Sequence, residues 1–137
     1  MRGMNIILKN SILFFLLLGY SQSSANMETA LTTVVENGTA VTLEQITDFE
    51  WDKVYVIGPY DQFDYSHISH VPAGVRKVIE RQIIEERNAL LIFTLNDTFV
   101  KLYDISVGPV DKLGLTGGVF TPESVIPIKD GADNPDC

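Results

Sequence analysis

Ala89-Leu90-Leu91-Ile92-Phe93-Thr94-Leu95, then Asn96-Asp97, then Thr98-Phe99-Val100-Lys101-Leu102-Tyr103-Asp104-Ile105 is the stretch on which the fold turns. Two runs rich in β-branched and aromatic residues flank a pair of residues that tolerate positive φ, which predicts a β-hairpin closed by a two-residue primed turn. The first arm is apolar on both faces, so it belongs inside a sheet with a helix covering one side. Upstream, Trp51-Asp52-Lys53-Val54-Tyr55-Val56-Ile57 is stopped by Gly58-Pro59 and reads as a second, central strand. Between them Val75, Val78, Ile79, Gln82 and Ile83 recur at helical spacing and predict a helix over about Gly74 to Glu86. Its other positions, Arg76, Lys77, Glu80, Arg81, Glu85 and Glu86, form a mixed-sign solvated face. These elements define an α+β fold, a small antiparallel sheet with one main helix packed on one face.

Farther out the signals are more local. Leu31 to Val35 reads as a strand and Asn37-Gly38 as a turn. Thr42 with Gln45 has the form of a capping box, predicting one or two helical turns from Leu43 to Thr47. Gly108-Pro109 ends the hairpin, and Leu113 to Gly118 is a loop whose glycines serve positive φ. Ser124 to Ile128 reads as a last strand that Pro127 places at an edge or at its own end. The tail 130–137 has almost nothing apolar and is expected to be disordered and acidic. The single domain is therefore expected over 26–129.

At the other end, Arg2 and Lys9 precede the apolar run Ile12 to Leu18, followed by Gly19-Tyr20-Ser21-Gln22-Ser23-Ser24-Ala25. That pattern is a signal peptide, with small residues at Ser23 and Ala25 placing the expected cut after residue 25. The apolar run is well short of the roughly 20 residues that span a bilayer. The expected location is thus the periplasm or the exterior, with no membrane anchor once the leader is removed. The chain's 137 residues carry 18 Asp and Glu against 10 Lys and Arg, a formal charge of -8. Such a balance argues against nucleic acid as a partner, because phosphate backbones are held by clustered Lys and Arg. Cys137 is the only cysteine, which excludes an internal disulfide and a cysteine-rich zinc site. On a chain end it can pair only with another molecule.

Phe49-Glu50-Trp51-Asp52-Lys53-Val54-Tyr55, leading through an apolar strand to Pro59-Tyr60, resembles the signature of a family of small exported bacterial proteins, Phe-x-Trp-Asp-Lys-x-Tyr. Leu90 to Phe93 and Phe120-Thr121-Pro122-Glu123 are similar to later landmarks of that family. The resemblance implies a small exported bacterial α+β protein and no catalytic residue. Strand alternation places Trp51 and Tyr55 of the motif on one face. Core packing is the simplest use of two such large rings.

For chemistry, the spacing Asp61-x-x-Asp64-x-x-His67-x-x-His70 contains both histidines of the chain. Two imidazoles and two carboxylates suit zinc, copper or nickel, so a small periplasmic metal-binding protein is one functional reading. A hydrolase would draw on Ser66 or Ser69 with His67 or His70 and an aspartate, but neighbours in sequence rarely assemble a triad. Gly114-Leu115-Thr116-Gly117-Gly118 lacks the lysine of a phosphate loop. Asn37-Gly38-Thr39 and Asn96-Asp97-Thr98 match glycosylation acceptors, while turn chemistry already explains both asparagines. The leading expectation is a non-enzymatic, exported protein that binds a macromolecule in the bacterial envelope, as an inhibitor or immunity-type protein against a basic toxin or hydrolase would. Asp61, Asp64, Glu85 and Glu86 are its candidate contacts, because they lie in or beside loops.

Overall fold

Runs 89–95 and 98–105 pair as their composition demands. A computed structural model describes residues 23–82 and 87–128. In it strand β3 (Asn88–Leu95) and strand β4 (Thr98–Ser106) form an antiparallel hairpin in which Leu95 faces Thr98. Asn96 and Asp97 have φ of 52° and 63°, the double left-handed conformation of a type I′ turn. One irregularity interrupts the ladder: Phe93 faces Lys101 and Thr94 faces Phe99, leaving Val100 as the extra residue of a bulge.

Strand β2 (Lys53–Ile57) lies on the other side of β3, so β3 is flanked on both edges, as its apolar composition requires. A short strand, β5 (Val119–Phe120), pairs antiparallel with β2 and completes the order β4-β3-β2-β5. Two further short strands, β1 (Val41–Thr42) and β6 (Val125–Ile126), pair as a separate ribbon, so the predicted last strand is present but shorter, and it stops just before Pro127. Helix α2 (Ala73–Arg81) begins one residue before the predicted helix and covers its first part, and Glu85 and Glu86 of that prediction fall outside the described residues. The same holds for the tail 130–137 and for Arg2 to Gln22 of the expected leader.

The sheet has two apolar faces. Val54, Val56, Leu91, Phe93, Tyr103 and Ile105 point to one, and Ile57, Leu90 and Ile92 to the other. Helix α2 covers the second face with Ile79 and the half-buried Val75 and Val78. What covers the first is helix α1 (Ser24–Asn37), which inserts Met27, Leu31 and Val34. The strand expected over Leu31 to Val35 is therefore corrected. The run Thr32-Thr33-Val34-Val35 has strand propensity, but Met27, Leu31 and Val34 at i, i+4, i+7 make a stripe that matches an open sheet face, and burial outweighs a few tenths of a kcal/mol of propensity per residue. Gly38, expected in a turn, sits in the left-handed region at φ 69° as the C-cap, its N–H donating to the Val34 carbonyl at 3.0 Å.

A capping box does open the 3-10 turn Leu43–Ile46, with the Thr42 N–H donating to Gln45 Oε1 at 2.8 Å. A short helix, α3 (Val107–Lys112), follows β4 directly and contains Gly108-Pro109, whose proline is tolerated in the first turn. Gly114 and Gly117 have φ of 76° and 81°, the conformation anticipated for that loop.

Tyr103 is fully buried between α1 and the sheet, and burial, reinforced by the charge of Asp48, pushes its phenol well above the ordinary tyrosine value. An unfolded chain releases that proton near pH ~10 whereas the folded chain keeps it, so the stability present below about pH 10 is lost as pH rises above it. The urea midpoint of the wild type is expected to fall more steeply between pH 9 and about pH 11 than that of Tyr103→Phe. Parallel slopes would show that Tyr103 does not drive the alkaline loss.

Candidate functional site

The motif Phe49 to Tyr60 is where the sequence concentrates unusual residues, and each of its side chains has a place in the fold. Trp51 is buried with its ring edge-on to Phe93 at 4.8 Å, and Phe49 meets the same ring at 5.1 Å. Tyr103 closes the cluster from the far side at 5.7 Å from Phe93. The Trp51 indole N–H donates to Thr47 Oγ1 at 2.9 Å, which satisfies the one polar atom of a buried ring.

Asp52 and Lys53 then grip the hairpin turn. The Asp52 N–H donates to the Thr94 carbonyl at 2.9 Å, and Asp52 Oδ2 accepts from the Asn96 N–H at 3.0 Å. Lys53 Nζ reaches Asp97 Oδ1 at 3.2 Å, and that bond holds the Lys53 ammonium above its usual pKa. Because both partners are exposed, the pair adds little to stability. Asp52 Oδ1 and Thr94 Oγ1, at the root of the same turn, are buried without a hydrogen-bond partner, a penalty the aromatic cluster offsets.

Tyr55 does not share a face with Trp51, contrary to strict alternation. The chain bends at Asp52 before β2 begins, so Trp51 falls on the α1 side with Val54 and Val56 while Tyr55 faces the α2 side. There it meets Phe63 at 5.3 Å, and its hydroxyl lies 3.2 Å from His67 Nε2. Beyond β2, Gly58 is a close approach: a Cβ there would stand 2.5 Å from Thr116 Cγ2. After Pro59, Tyr60 takes φ 67° and donates its N–H to the Gln82 carbonyl at 3.1 Å.

The loop 61–70 contains the proposed ligands. Asp61 Oδ2 accepts from the Gly58 N–H at 2.9 Å, closing the turn after β2. Asp64 Oδ1 accepts from the Ser66 N–H at 3.0 Å, and that bond holds the Asp64 carboxyl below its ordinary value. His67 is engaged by Tyr55 and Phe63, and His70 is exposed at φ 64°. Ser69 bridges to the hairpin, donating to the Asp97 carbonyl at 2.7 Å and accepting from the Phe99 N–H at 2.9 Å. Among the described residues no three His, Cys, Asp or Glu side chains gather to hold a metal. Asp61 and Asp64 are held in the loop's own turns and His67 packs against Tyr55 and Phe63, so spacing by threes along the chain does not bring three of the set together. Ser66 is likewise part of the Asp64 turn.

One buried polar residue stands out that the sequence had already placed on the apolar stripe of its helix. Gln82 is 2% exposed, and its Nε2 lies 3.3, 3.0 and 2.8 Å from the carbonyls of Ile57, Gly58 and Asn88. It closes the end of the β2-β3 pair where the chain turns away.

The charged residues divide between the two sides of the sheet. From Ser23 to Asp52 the chain carries Glu28, Glu36, Glu44, Asp48, Glu50 and Asp52 and no Lys or Arg. That segment's large apolar residues pack on the α1 face, and Glu36, Glu44 and Glu50 are exposed on the layer they form, while Asp52 sits at the hairpin turn. Lys101, 5.6 Å from the Tyr103 ring, and Lys112 of α3 stand on the same side. The opposite layer is mixed, with Arg76, Lys77 and Arg81 beside Glu80, Asp61 and Asp64. No family model, curated protein or solved structure matches the chain.

Proposed function

We propose that this chain is an exported, non-enzymatic protein that binds a basic macromolecular partner in the bacterial envelope, as an inhibitor or immunity-type protein does. The observation that carries the reading is a segment, Ser23 to Asp52, that folds as one layer with α1 and carries exposed acids and no basic residue of its own. A uniform acidic coat would serve solubility alone, whereas a locally acid-rich layer raises the negative potential on that side and steers a partner of opposite charge. Residues Asp61 and Asp64, which have their carboxylates in turns on the other side, contribute at the margin of such an interface. The proposed contacts Glu85 and Glu86 lie outside the described residues. The family resemblance carried by Phe49 to Tyr60 supports export and a bacterial source, and the motif's side chains are accounted for by the core and the hairpin turn.

The test is a pull-down from envelope extract at low and high salt, followed by association kinetics with whatever basic protein is retained. Reversing Glu36, Glu44 and Glu50 together to Lys is expected to slow association about tenfold at low ionic strength. The effect should shrink as salt screens the exposed charges. Asp61→Asn with Asp64→Asn, which keep a side-chain acceptor for each turn, should change the rate by less than about twofold. A salt-independent rate unaffected by the triple reversal would reject the acidic face as the steering surface.

A further inference from the structure

Strand β4 is nine residues long and forms one edge of the four-stranded sheet, whereas the strand at the opposite edge, β5, has only two. A long edge offers a row of N–H and C=O groups to any extended chain. Its own copy is complementary to it, because antiparallel pairing about a twofold axis exchanges the same groups in both directions. The shortness of β5 protects that edge, so β4 is the edge that needs a guard.

Its outer side is covered at both ends. At the hairpin end the Ser69 carbonyl accepts from the Phe99 N–H at 2.9 Å, the Ser69 N–H donates to the Asp97 carbonyl at 2.7 Å, and the bulge at Val100 follows. At the far end the Asp104 N–H donates to Ser24 Oγ at 3.2 Å and the Ser106 N–H to Glu28 Oε1 at 3.1 Å. These two donors lie two residues apart on the strand, about 6.8 Å. Ser24 and Glu28 are one helical turn apart, about 6 Å along α1. The first turn of α1 therefore sets two side-chain oxygens at nearly the spacing with which a neighbouring strand would present its carbonyls. By the same alternation Leu102 directs its N–H outward between the two covers.

We propose that the first turn of α1 guards the β4 edge against a second copy of this chain, and that Glu28 is the residue that prevents β4 from pairing with β4 across a twofold axis. Ser24 lies before the expected leader cut and Glu28 after it, so Glu28 is the member of the guard present with or without the leader. The proposal stands apart from the reading of a basic partner, and its test needs no partner.

The full chain and its variants are purified from an expressing bacterium and followed by sedimentation velocity as concentration is raised, with amide exchange on the same samples. Wild type is expected to stay monomeric. Glu28→Ala removes the acceptor and should move toward the mass of a dimer. Glu28→Asp keeps the charge but is one methylene too short, and should self-associate as well. Glu28→Gln loses the charge but keeps the acceptor, and should remain monomeric. In Glu28→Ala the Ser106 amide should exchange about tenfold faster than in wild type when dilute. As the dimer forms, the Leu102, Asp104 and Ser106 amides should slow together, while protected β3 amides report an intact fold in every variant. Ser106 has φ -61°, which a proline adopts without strain, so adding Ser106→Pro to Glu28→Ala deletes the exposed donor and should restore the monomer. A Glu28→Ala chain that is monomeric at every concentration overturns the proposal. So does self-association that tracks the lost charge, present in Glu28→Gln and absent in Glu28→Asp, or a dimer that survives Ser106→Pro. A wild type already paired through β4, with the three amides protected as it associates, overturns it equally.

Discussion

Trp51→Ala is expected to lower the unfolding free energy by about 3–5 kcal/mol, the loss typical of emptying a buried indole site. The magnitude follows from what the ring touches. It lies edge-on to Phe93, which is itself buried against Phe49 and Tyr103, so its removal loosens three further aromatic residues that join the β2 approach and the hairpin. Thr47 Oγ1 loses its indole donor at the same time. Because domains of this kind are stable by only about 5–15 kcal/mol, that loss is a large fraction of the total. Trp51→Phe separates the two contributions: it keeps most of the area and loses the hydrogen bond, with an expected cost of about 1–2 kcal/mol. Tyr55→Phe, two strand positions from Lys53 and on the other face, removes only the hydroxyl contact with the exposed His67 and is expected to change stability by less than about 0.5 kcal/mol. Urea titration of the three variants decides the matter. Equal losses at Trp51 and Tyr55 would mean that the motif acts as one stacked strand face, not as a core anchor followed by a surface residue.

The second large effect belongs to Gln82. Replacing it by Met keeps its length and volume but withdraws the amide that lies within hydrogen-bond distance of the Ile57, Gly58 and Asn88 carbonyls. Buried acceptors left without a donor cost about 1–3 kcal/mol, and Gln82→Met is expected to fall within that range, since the Ile57 and Asn88 carbonyls lose this donor while the Gly58 carbonyl keeps the Asp61 N–H at 3.2 Å. Gln82→Glu is more severe at neutral pH, since it sets a carboxylate against three carbonyl oxygens with almost no solvent. Burial and repulsion raise the folded-state pKa of such a carboxyl above its unfolded value near ~4.3. The neutral acid is therefore the form the fold accepts: the deficit relative to wild type is smallest below about pH 4 and grows as pH rises through neutrality. A Gln82→Glu variant whose deficit is the same at pH 4 and pH 7 would show that the position is open to solvent and does not close the β2-β3 end.

Both predictions concern residues whose importance was partly visible in the sequence. Trp51 declared itself by composition, and Gln82 by standing where an apolar residue would continue the stripe of Val75, Val78 and Ile79. Neither declared its partner. The candidate metal set shows the converse case. Asp61, Asp64, His67 and His70 are evenly spaced along the chain, but ligation requires convergence in space, and Asp61 and Asp64 turn to local backbone partners while His67 meets an aromatic neighbour. The charge asymmetry combines both levels: the absence of Lys and Arg from 23 to 52 is a fact of sequence, yet it makes a face only because that segment folds as one layer.

What the chain's sequence determined alone is what depends on near neighbours. The Asn96-Asp97 turn, the burial of β3 between two partners, the capping box at Thr42 and the positive φ of Gly114 and Gly117 all follow from backbone preferences or period-two burial acting within a few residues. What only the tertiary structure decided is where a local preference met a larger burial term or a bend. Leu31 to Val35 became helix because the open sheet face rewarded the Met27, Leu31, Val34 stripe more than the β-branched run resisted it. Trp51 and Tyr55 parted because the bend at Asp52 broke alternation. Ser24 found Asp104 eighty residues away, a contact that no pattern along the chain encodes and that exists only once α1 has docked on the edge of β4.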